Sequence, residues 1–234
     1  MLNYQYLSAL SPEIPKWRLG MVEGLGWAGL TAPILLSKGY ATLRIASSHT
    51  WDYPYPSAAS PFIDNNLRLC GVRVLHDQFD FTRPAKVAFI DAYYKTTGKN
   101  RPFIKVCSLT KETDKNCHDC RKCLTTILCF KAHGIDPKPY GLTYSDKKAQ
   151  KILDYFSARK LNFYTIEIGK EIQGILAKRK QLGDILDPFL EEFLLLDLST
   201  KIPFDTDKQD KLDWPTMISL LPEDHGLAIP NEYL

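Results

Sequence analysis

Residues 103–123 read FIKVCSLTKETDKNCHDCRKC, a short apolar run followed by four cysteines. The cysteines follow the pattern C-x9-C-x2-C-x2-C and are Cys107, Cys117, Cys120 and Cys123. Two CxxC steps suit thiolates around one tetrahedral ion, and four thiolates form the closed shell of a structural zinc site. We therefore predict a four-cysteine zinc knuckle with these residues as metal ligands. A redox CxxC pair and an iron–sulfur cluster are the alternatives that the spacing leaves open.

The composition and the other two cysteines limit which classes of protein are possible. The chain has 234 residues, 44% of them apolar, enough for one large domain or a domain with an appendage. Because four cysteines have metal spacing, we expect a reducing, cytoplasmic location rather than a disulfide framework. Cys70 and Cys129 lie among apolar neighbours and are predicted to be buried thiols. No signal peptide or membrane span of about 20 apolar residues is recognisable, so no membrane partner is expected.

Charge is distributed unevenly along the chain. The net charge is +3, but residues 1–183 carry +12 and residues 184–234 carry −9. A basic body suits an anionic small molecule or a nucleotide as partner. The cations Lys170, Lys178 and Arg179 with Lys180 could bind nucleic acid, but a solvated helix face is the preferred interpretation. The apolar run at 185–198 could pack on the core, on a protein partner or on a second copy in a homo-oligomer.

Strand and helix patterns alternate as far as the cysteines. Strands are predicted at 40–46, 72–75 and 103–106 from their apolar, β-branched runs. Helices are predicted between them, at 21–37, 61–69, 83–96 and 121–133, the last closed by Gly134. Pro33 weakens the first of these helices, since an interior proline removes a hydrogen bond. The alternation predicts an α/β fold with a partial, doubly wound parallel sheet of Rossmann-like type.

From residue 145 the pattern is purely helical. Helices are predicted at 145–159, 164–182 and 184–198, and no further strand is predicted. We therefore divide the chain into an α/β domain with the zinc site, residues 1–140, and a helical extension with an acidic tail, residues 141–234.

Polar side chains follow the predicted strands at their carboxyl ends, where open α/β sheets bind ligands. A further pair of cations, one turn apart, opens a predicted helix, and a helix N-terminus suits a phosphate or carboxylate. The candidate substrate- or nucleotide-binding residues are Ser47, Ser48, His49, Asp52, His76, Asp77, Arg83 and Lys86. Backbone capping by the histidines and simple surface exposure of the cations are the alternatives. No catalytic residue is assigned.

Residues 106–141, VCSLTKETDKNCHDCRKCLTTILCFKAHGIDPKPYG, resemble the zinc-binding region of the QueC/ExsB family. Those proteins make 7-cyano-7-deazaguanine and belong to the PP-loop ATP-pyrophosphatases, which are adenine nucleotide alpha hydrolase-like. The upstream runs RIASSHTWDYPYPSAASPFIDNNL (44–67) and VRVLHDQFDFTRPAKV (72–87) resemble a related QueC-like group, so the resemblance covers roughly residues 20–140. It implies a HUP-type fold, the four cysteines as zinc ligands, ATP with Mg²⁺ as cofactors, and ATP-dependent ligation or amidation of a carboxylate.

The sequence departs from that family at one decisive place. Family members hold the pyrophosphate of ATP with an SGGxDS loop, which this sequence lacks. Ser47 and Ser48 follow a strand but lack the glycines that let backbone amides approach phosphate. We expect that an N-terminal segment lies outside this chain or that the site has decayed. An ATP-dependent ligase, a non-catalytic zinc-stabilised binding module and a zinc-knuckle nucleic-acid binder are therefore the three hypotheses.

Overall fold

The computed structural model describes residues 23–51, 59–107, 109–112, 114–203, 218–223 and 228–229. The chain divides into a first unit, Met1–Phe81 with Asp207–Leu234, and a second unit, Thr82–Thr206. Within the described residues the fold is mixed α/β with a small mixed sheet. Residues 141–206 thus belong to the same compact unit as the cysteines, and the functional division at residue 140 stays a prediction.

The first unit is built on a three-stranded sheet. Its elements are α1 (Glu23–Ser37), β1 (Thr42–Ala46), α2 (Pro61–Asp64), β2 (Arg68–Leu69) and β3 (Val72–Asp77). The strand order is β1-β3-β2, with β1 parallel to β3 and β2 antiparallel to it. The first two predicted strands are confirmed, whereas the helix predicted at 61–69 ends at Asp64 because the chain there enters β2.

A two-residue turn joins β2 to β3. Cys70 and Gly71 have φ angles of 52° and 86°, and a type I′ hairpin turn requires a positive φ at both positions. The turn leaves Cys70 exposed at its tip. The prediction that Cys70 is buried is therefore wrong, because its apolar neighbours belong to strands whereas it lies between them.

Helix α1 confirms, over its described residues, the helix predicted at 21–37 and continues through Pro33. Its small side chains face inward, with Ala28 and Ala32 buried, and such residues permit a close approach to the sheet. Trp27 and Ile34, at helical spacing on another face, are each 60% exposed.

The core of the first unit lies on one face of β3. Val72 and Val74 are fully buried and alternate with half-buried residues, as expected for a strand with one covered face. The rings of Trp51, Phe62 and Phe79 form a second buried cluster of this unit and pack edge to face, with centroids 5.0–6.1 Å apart. Trp51 is therefore a core residue of this unit.

The second unit is mainly helical. Its elements are α3 (Arg83–Thr97), α4 (Arg121–Ala132), a 3-10 turn (Lys138–Tyr140), α5 (Asp146–Ser157), β4 (Lys160–Leu161), α6 (Phe163–Gln181), α7 (Pro188–Leu195) and β5 (Ile202–Pro203). The five α-helices confirm the predicted ones. The parallel pair β4–β5 was missed, because strands of two residues carry no readable periodicity.

The third predicted strand, at 103–106, is wrong. The described residues place this segment outside any strand, and loop partners satisfy its backbone instead of a sheet neighbour. Ile104 N donates to Tyr140 O at 3.0 Å, and Ile104 O accepts from the Asn116 side chain at 2.9 Å. The parallel part of the described sheet therefore consists of β1 and β3 alone, and a doubly wound, HUP-type sheet stays a prediction.

Helix α4 is the centre of the second unit. Nine of its residues are buried, including Ile127, Leu128 and Phe130, and α3, α5 and α6 pack around them. Gly134 follows it with a φ of 68°, as predicted for its C-terminus. Among the described residues, no helix is both long and apolar enough to span a membrane.

Candidate metal centre

The four predicted cysteine ligands come together at one point of the second unit. All their sulfur atoms lie within 4.8 Å of one another. Three of the separations are 3.4 Å for Cys120–Cys123, 3.8 Å for Cys117–Cys123 and 3.9 Å for Cys107–Cys120. Zn–S bonds of about 2.3 Å in a tetrahedron would separate the sulfurs by about 3.8 Å. The cluster is therefore a candidate metal site with dimensions compatible with zinc.

Two of these sulfurs are carried by the start of a helix. Cys120 is the N-cap of α4, and Cys123 lies in its first turn. His118 has a φ of 61°, and this left-handed residue turns the chain so that Cys120 N donates to the Cys117 sulfur at 3.2 Å. A helix N-terminus favours negative charge, so thiolates are stabilised where α4 begins.

The loop from Cys107 to Cys117 carries the other two sulfurs. Leu109 N donates to the Cys107 sulfur at 3.3 Å. The Lys105 ammonium donates to the carbonyls of Glu112 and Lys115 and to the Thr110 hydroxyl, which ties the loop into a compact ring. Sequence reasoning missed this role of Lys105, since a lysine at a predicted strand carries no signal for backbone carbonyls.

Three of the four thiols have shifted pKa values. Burial opposes ionisation of Cys107, but amide hydrogen bonds from Cys117 and Leu109 hold its pKa at about 5. Burial raises the pKa of Cys120 and of Cys123, and the neighbouring thiols contribute to the rise. Four sulfurs this close cannot all carry charge unless a cation compensates them, so the site is suited to exchange protons for a metal ion.

The strand-end candidates of the first unit are partly brought together. Parallel pairing of β1 with β3 places Ser47 beside the end of β3, where Ser47 N donates to Asp77 O at 2.9 Å. The Ser47 hydroxyl donates to the carbonyl of His49, and Asp77 lies 3.2 Å from Arg44 in an ion pair. Ser48 is exposed, and Asp52 lies outside the described residues.

His76 has a partner that the sequence did not indicate. Its Nδ1 lies 2.8 Å from Asp64 Oδ2, and both side chains are almost completely buried. Its backbone N donates to Asn65 Oδ1 at 2.6 Å, and its ring packs edge to face with Phe79. Burial raises the pKa of Asp64, although the His76 hydrogen bond opposes the rise. Asp64 Oδ1 is buried and has no hydrogen-bond partner within the described residues.

Arg83 and Lys86 lie in the second unit, on the first turn of α3. The N-cap Thr82 accepts from Ala85 N and donates to Glu171 Oε1 at 2.6 Å, so an internal carboxylate already lies at this helix end. Arg83 Nη1 donates to the Thr126 hydroxyl at 3.3 Å. Since these cations and the strand ends belong to different units, a common site for both groups stays a prediction.

The basic residues of α6 are largely paired with carboxylates. Lys170 lies 2.7 Å from Glu167 and Lys180 lies 3.1 Å from Glu191. Arg179 lies 2.7 Å from Asp184 and donates to the carbonyls that end α4. These pairs support a solvated helix face and show acidic C-terminal residues neutralising basic ones locally.

Comparison with known proteins returns no relative for this chain: no family model matches, no curated protein matches and no solved structure matches. The likeness to the QueC/ExsB family therefore rests on the sequence motifs alone. The geometry of the four cysteines is the structural observation that indicates a function.

Proposed function

We propose that this protein is a QueC-like, PP-loop-related chain that acts as a zinc-stabilised binding module. The observation that carries the proposal is the convergence of the Cys107, Cys117, Cys120 and Cys123 sulfurs to within 4.8 Å. Four thiolates complete a tetrahedral shell and leave no position for water or substrate, so the ion has a structural role.

The metal would bind the segment before the loop to the start of α4. Cys107 ends the irregular segment before the loop, whereas Cys120 and Cys123 belong to the start of α4. Zinc supplies Lewis-acid bonds to four sulfurs at once, and because the site is not preformed in the unfolded chain, this binding energy becomes folding energy. The buried helix α4 would then be fixed at its N-terminus by the ion.

Metal analysis tests the proposal directly. We expect one zinc ion per chain by elemental analysis, and a lower melting temperature after treatment with a strong chelator. Cys120→Ser should lose the ion, whereas Cys70→Ser, which changes an exposed thiol outside the cluster, should retain it. Iron with a visible charge-transfer absorption, or a chain that is equally stable without metal, would contradict the zinc assignment.

A second candidate function is ATP-dependent ligation of a carboxylate through an adenylated intermediate. It is favoured by the parallel β1–β3 pair, which carries Ser47 and His76 at its carboxyl end, the edge where sheets of this type bind ligands. In this candidate, a HUP-type site would bind ATP with Mg²⁺, and Arg83 and Lys86 would bind an anionic group. The SGGxDS loop would have to come from outside this sequence.

Calorimetry with ATP, and with AMP as a control, separates the two candidates. Micromolar ATP binding that Arg83→Ala weakens without unfolding the protein would favour the ligase. Lys180→Ala provides a matched control, since it removes a cation that pairs with Glu191 on the surface. Absence of ATP binding by zinc-loaded protein would show that this chain alone is not a working ATP-dependent ligase, which would favour the binding module.

A further inference from the structure

We infer that Asn116 is the positioning residue of the metal centre, holding Cys107 and Cys117 at the separation that the ion requires before the ion binds. This inference rests on the proposed zinc site and concerns how the chain prepares it. Asn116 directly precedes the ligand Cys117 and is 5% exposed.

The Asn116 amide uses its full hydrogen-bonding capacity. Its Oδ1 accepts from Val106 N at 3.1 Å and from Cys107 N at 3.0 Å. Its Nδ2 donates to Ile104 O at 2.9 Å and to Gly141 O at 3.1 Å. A primary amide has two donors and two acceptor lone pairs, so each is satisfied by backbone. Asn116 stands at one end of the loop that carries two ligands, and its side chain thus binds the backbone at the other end.

The surroundings of Gly141 show that this arrangement is built into the packing. Gly141 has a φ of 77°, and a Cβ placed there would lie 2.2 Å from the Phe103 ring. Only glycine therefore lets the Phe103 ring cover this turn while the Gly141 carbonyl points to Asn116. Residues on both sides of the loop are held against the same amide.

Holding the loop closed before the ion binds lowers the entropy cost of metal binding. An open loop would lose conformational entropy when the ion draws its ends together, whereas the Asn116 contacts hold them together already. Groups that orient metal ligands in this way typically contribute about 10–100-fold in metal affinity. We expect Asn116→Ala to weaken zinc binding by about this factor and to speed release of zinc to a chelator.

Asn116→Asp separates positioning from electrostatics. One carboxylate oxygen can still accept from the Val106 and Cys107 amides. The other oxygen replaces the Asn116 NH₂ group and repels the carbonyl oxygens of Ile104 and Gly141. A negative charge beside the cysteines would by itself attract the cation more strongly. Positioning therefore predicts weaker zinc binding in this variant, whereas electrostatics alone predicts tighter binding.

Asn65→Ala is the matched control. Asn65 is also fully buried and also uses its Oδ1 to hold a backbone amide, that of His76, but it belongs to the first unit. The control should lose stability and keep the zinc affinity of the natural chain.

The experiment measures zinc affinity by chelator competition and the absorption spectrum of the Co²⁺-substituted full-length chain. We expect weaker zinc binding and an altered Co²⁺–thiolate spectrum in Asn116→Ala and Asn116→Asp, and neither change in Asn65→Ala. An unchanged affinity and spectrum, or equal loss in Asn65→Ala, would overturn the inference. If Asn116→Ala fails to fold, Asn116→Asp decides. A natural chain that binds no zinc would instead overturn the proposed function, which is a different result.

Discussion

The cysteine cluster of the second unit and the Asp64–His76 pair of the first both bring ionisable side chains together, yet they were not equally visible in the sequence. Three of the four cysteines lie within residues 117–123, and the fourth stands at the other end of one loop. Asp64 and His76 come from α2 and β3, and the partner of His76 could not be named beforehand. Ligands that are neighbours along the chain can be recognised from spacing, whereas a pair that depends on packing cannot.

The two clusters also differ in which groups compensate their charge and hydrogen-bonding capacity. Asp64 and His76 compensate each other within the protein, although one carboxylate oxygen keeps no partner among the described residues. Within the part of the chain that the structure describes, the four sulfurs contact one another and accept hydrogen bonds from backbone amides, so four thiolates would need a cation to compensate their charge. The comparison therefore predicts that the first pair is a fixed internal contact and that the second cluster depends on metal.

The largest effect is expected for Cys120→Ser. Loss of one of four ligands should release the ion and lower the free energy of unfolding by about 4 kcal/mol or more, as for other losses of structural metal. Circular dichroism during thermal unfolding, with and without chelator, checks this. Cys70→Ser should unfold like the natural chain, and a folded, soluble, metal-free Cys120→Ser protein would refute the structural role.

A smaller decrease in the free energy of unfolding is expected for Asp64→Ala. The substitution leaves the buried His76 Nδ1 without its carboxylate, and an unsatisfied buried polar group costs about 1–3 kcal/mol. Denaturant titration measures the difference. Zinc content should stay unchanged, because Asp64 lies in the first unit and the cysteines in the second. A variant as stable as the natural chain would show that the pair is not a fixed contact.

The pH dependence of the same pair gives a signed prediction. Burial raises the pKa of Asp64 above its ordinary value of 3.8. A carboxyl that binds its proton more tightly when folded adds stability that is complete below the unfolded pKa and is lost as pH rises through the folded pKa. The stability of the natural chain relative to Asp64→Asn should therefore fall as pH rises from about 3.8 through the raised pKa of the folded Asp64. Denaturant titrations at several pH values check the trend, and a relative gain over this range would contradict it.

The smallest effect is expected on the basic face of α6. Lys180→Ala breaks an ion pair with Glu191 in which both side chains are about half exposed. Such surface pairs contribute roughly 0.2–1 kcal/mol, and salt screens them. Unfolding titrations at low and high salt should show this small difference shrinking. A steep salt dependence of RNA or DNA binding that Lys180→Ala reduces would instead revive the nucleic-acid interpretation.

Much of the fold could be predicted because its helices are long and periodic. Helices α3 to α7 were recognised from capping residues and apolar spacing, and β1 and β3 from β-branched runs. The run at 103–106 has the same composition as a strand, but its backbone bonds to Tyr140 and Asn116. A strand exists only when another strand pairs with it, and apolar composition cannot report that pairing.

The sequence by itself determined which four residues form the candidate metal site. CxxC spacing brings the sulfurs of Cys117, Cys120 and Cys123 together through local chain geometry, and Cys107 stands at the other end of one loop. It also determined that Cys129 is buried, since that cysteine lies on the apolar helix α4. Only the tertiary structure decided that Cys70 is exposed in a hairpin turn, that Asp64 contacts His76, and that the Asn116 side chain binds the backbone at the other end of the cysteine loop. Each of these depends on strand pairing or side-chain packing between separate segments, which local spacing does not encode.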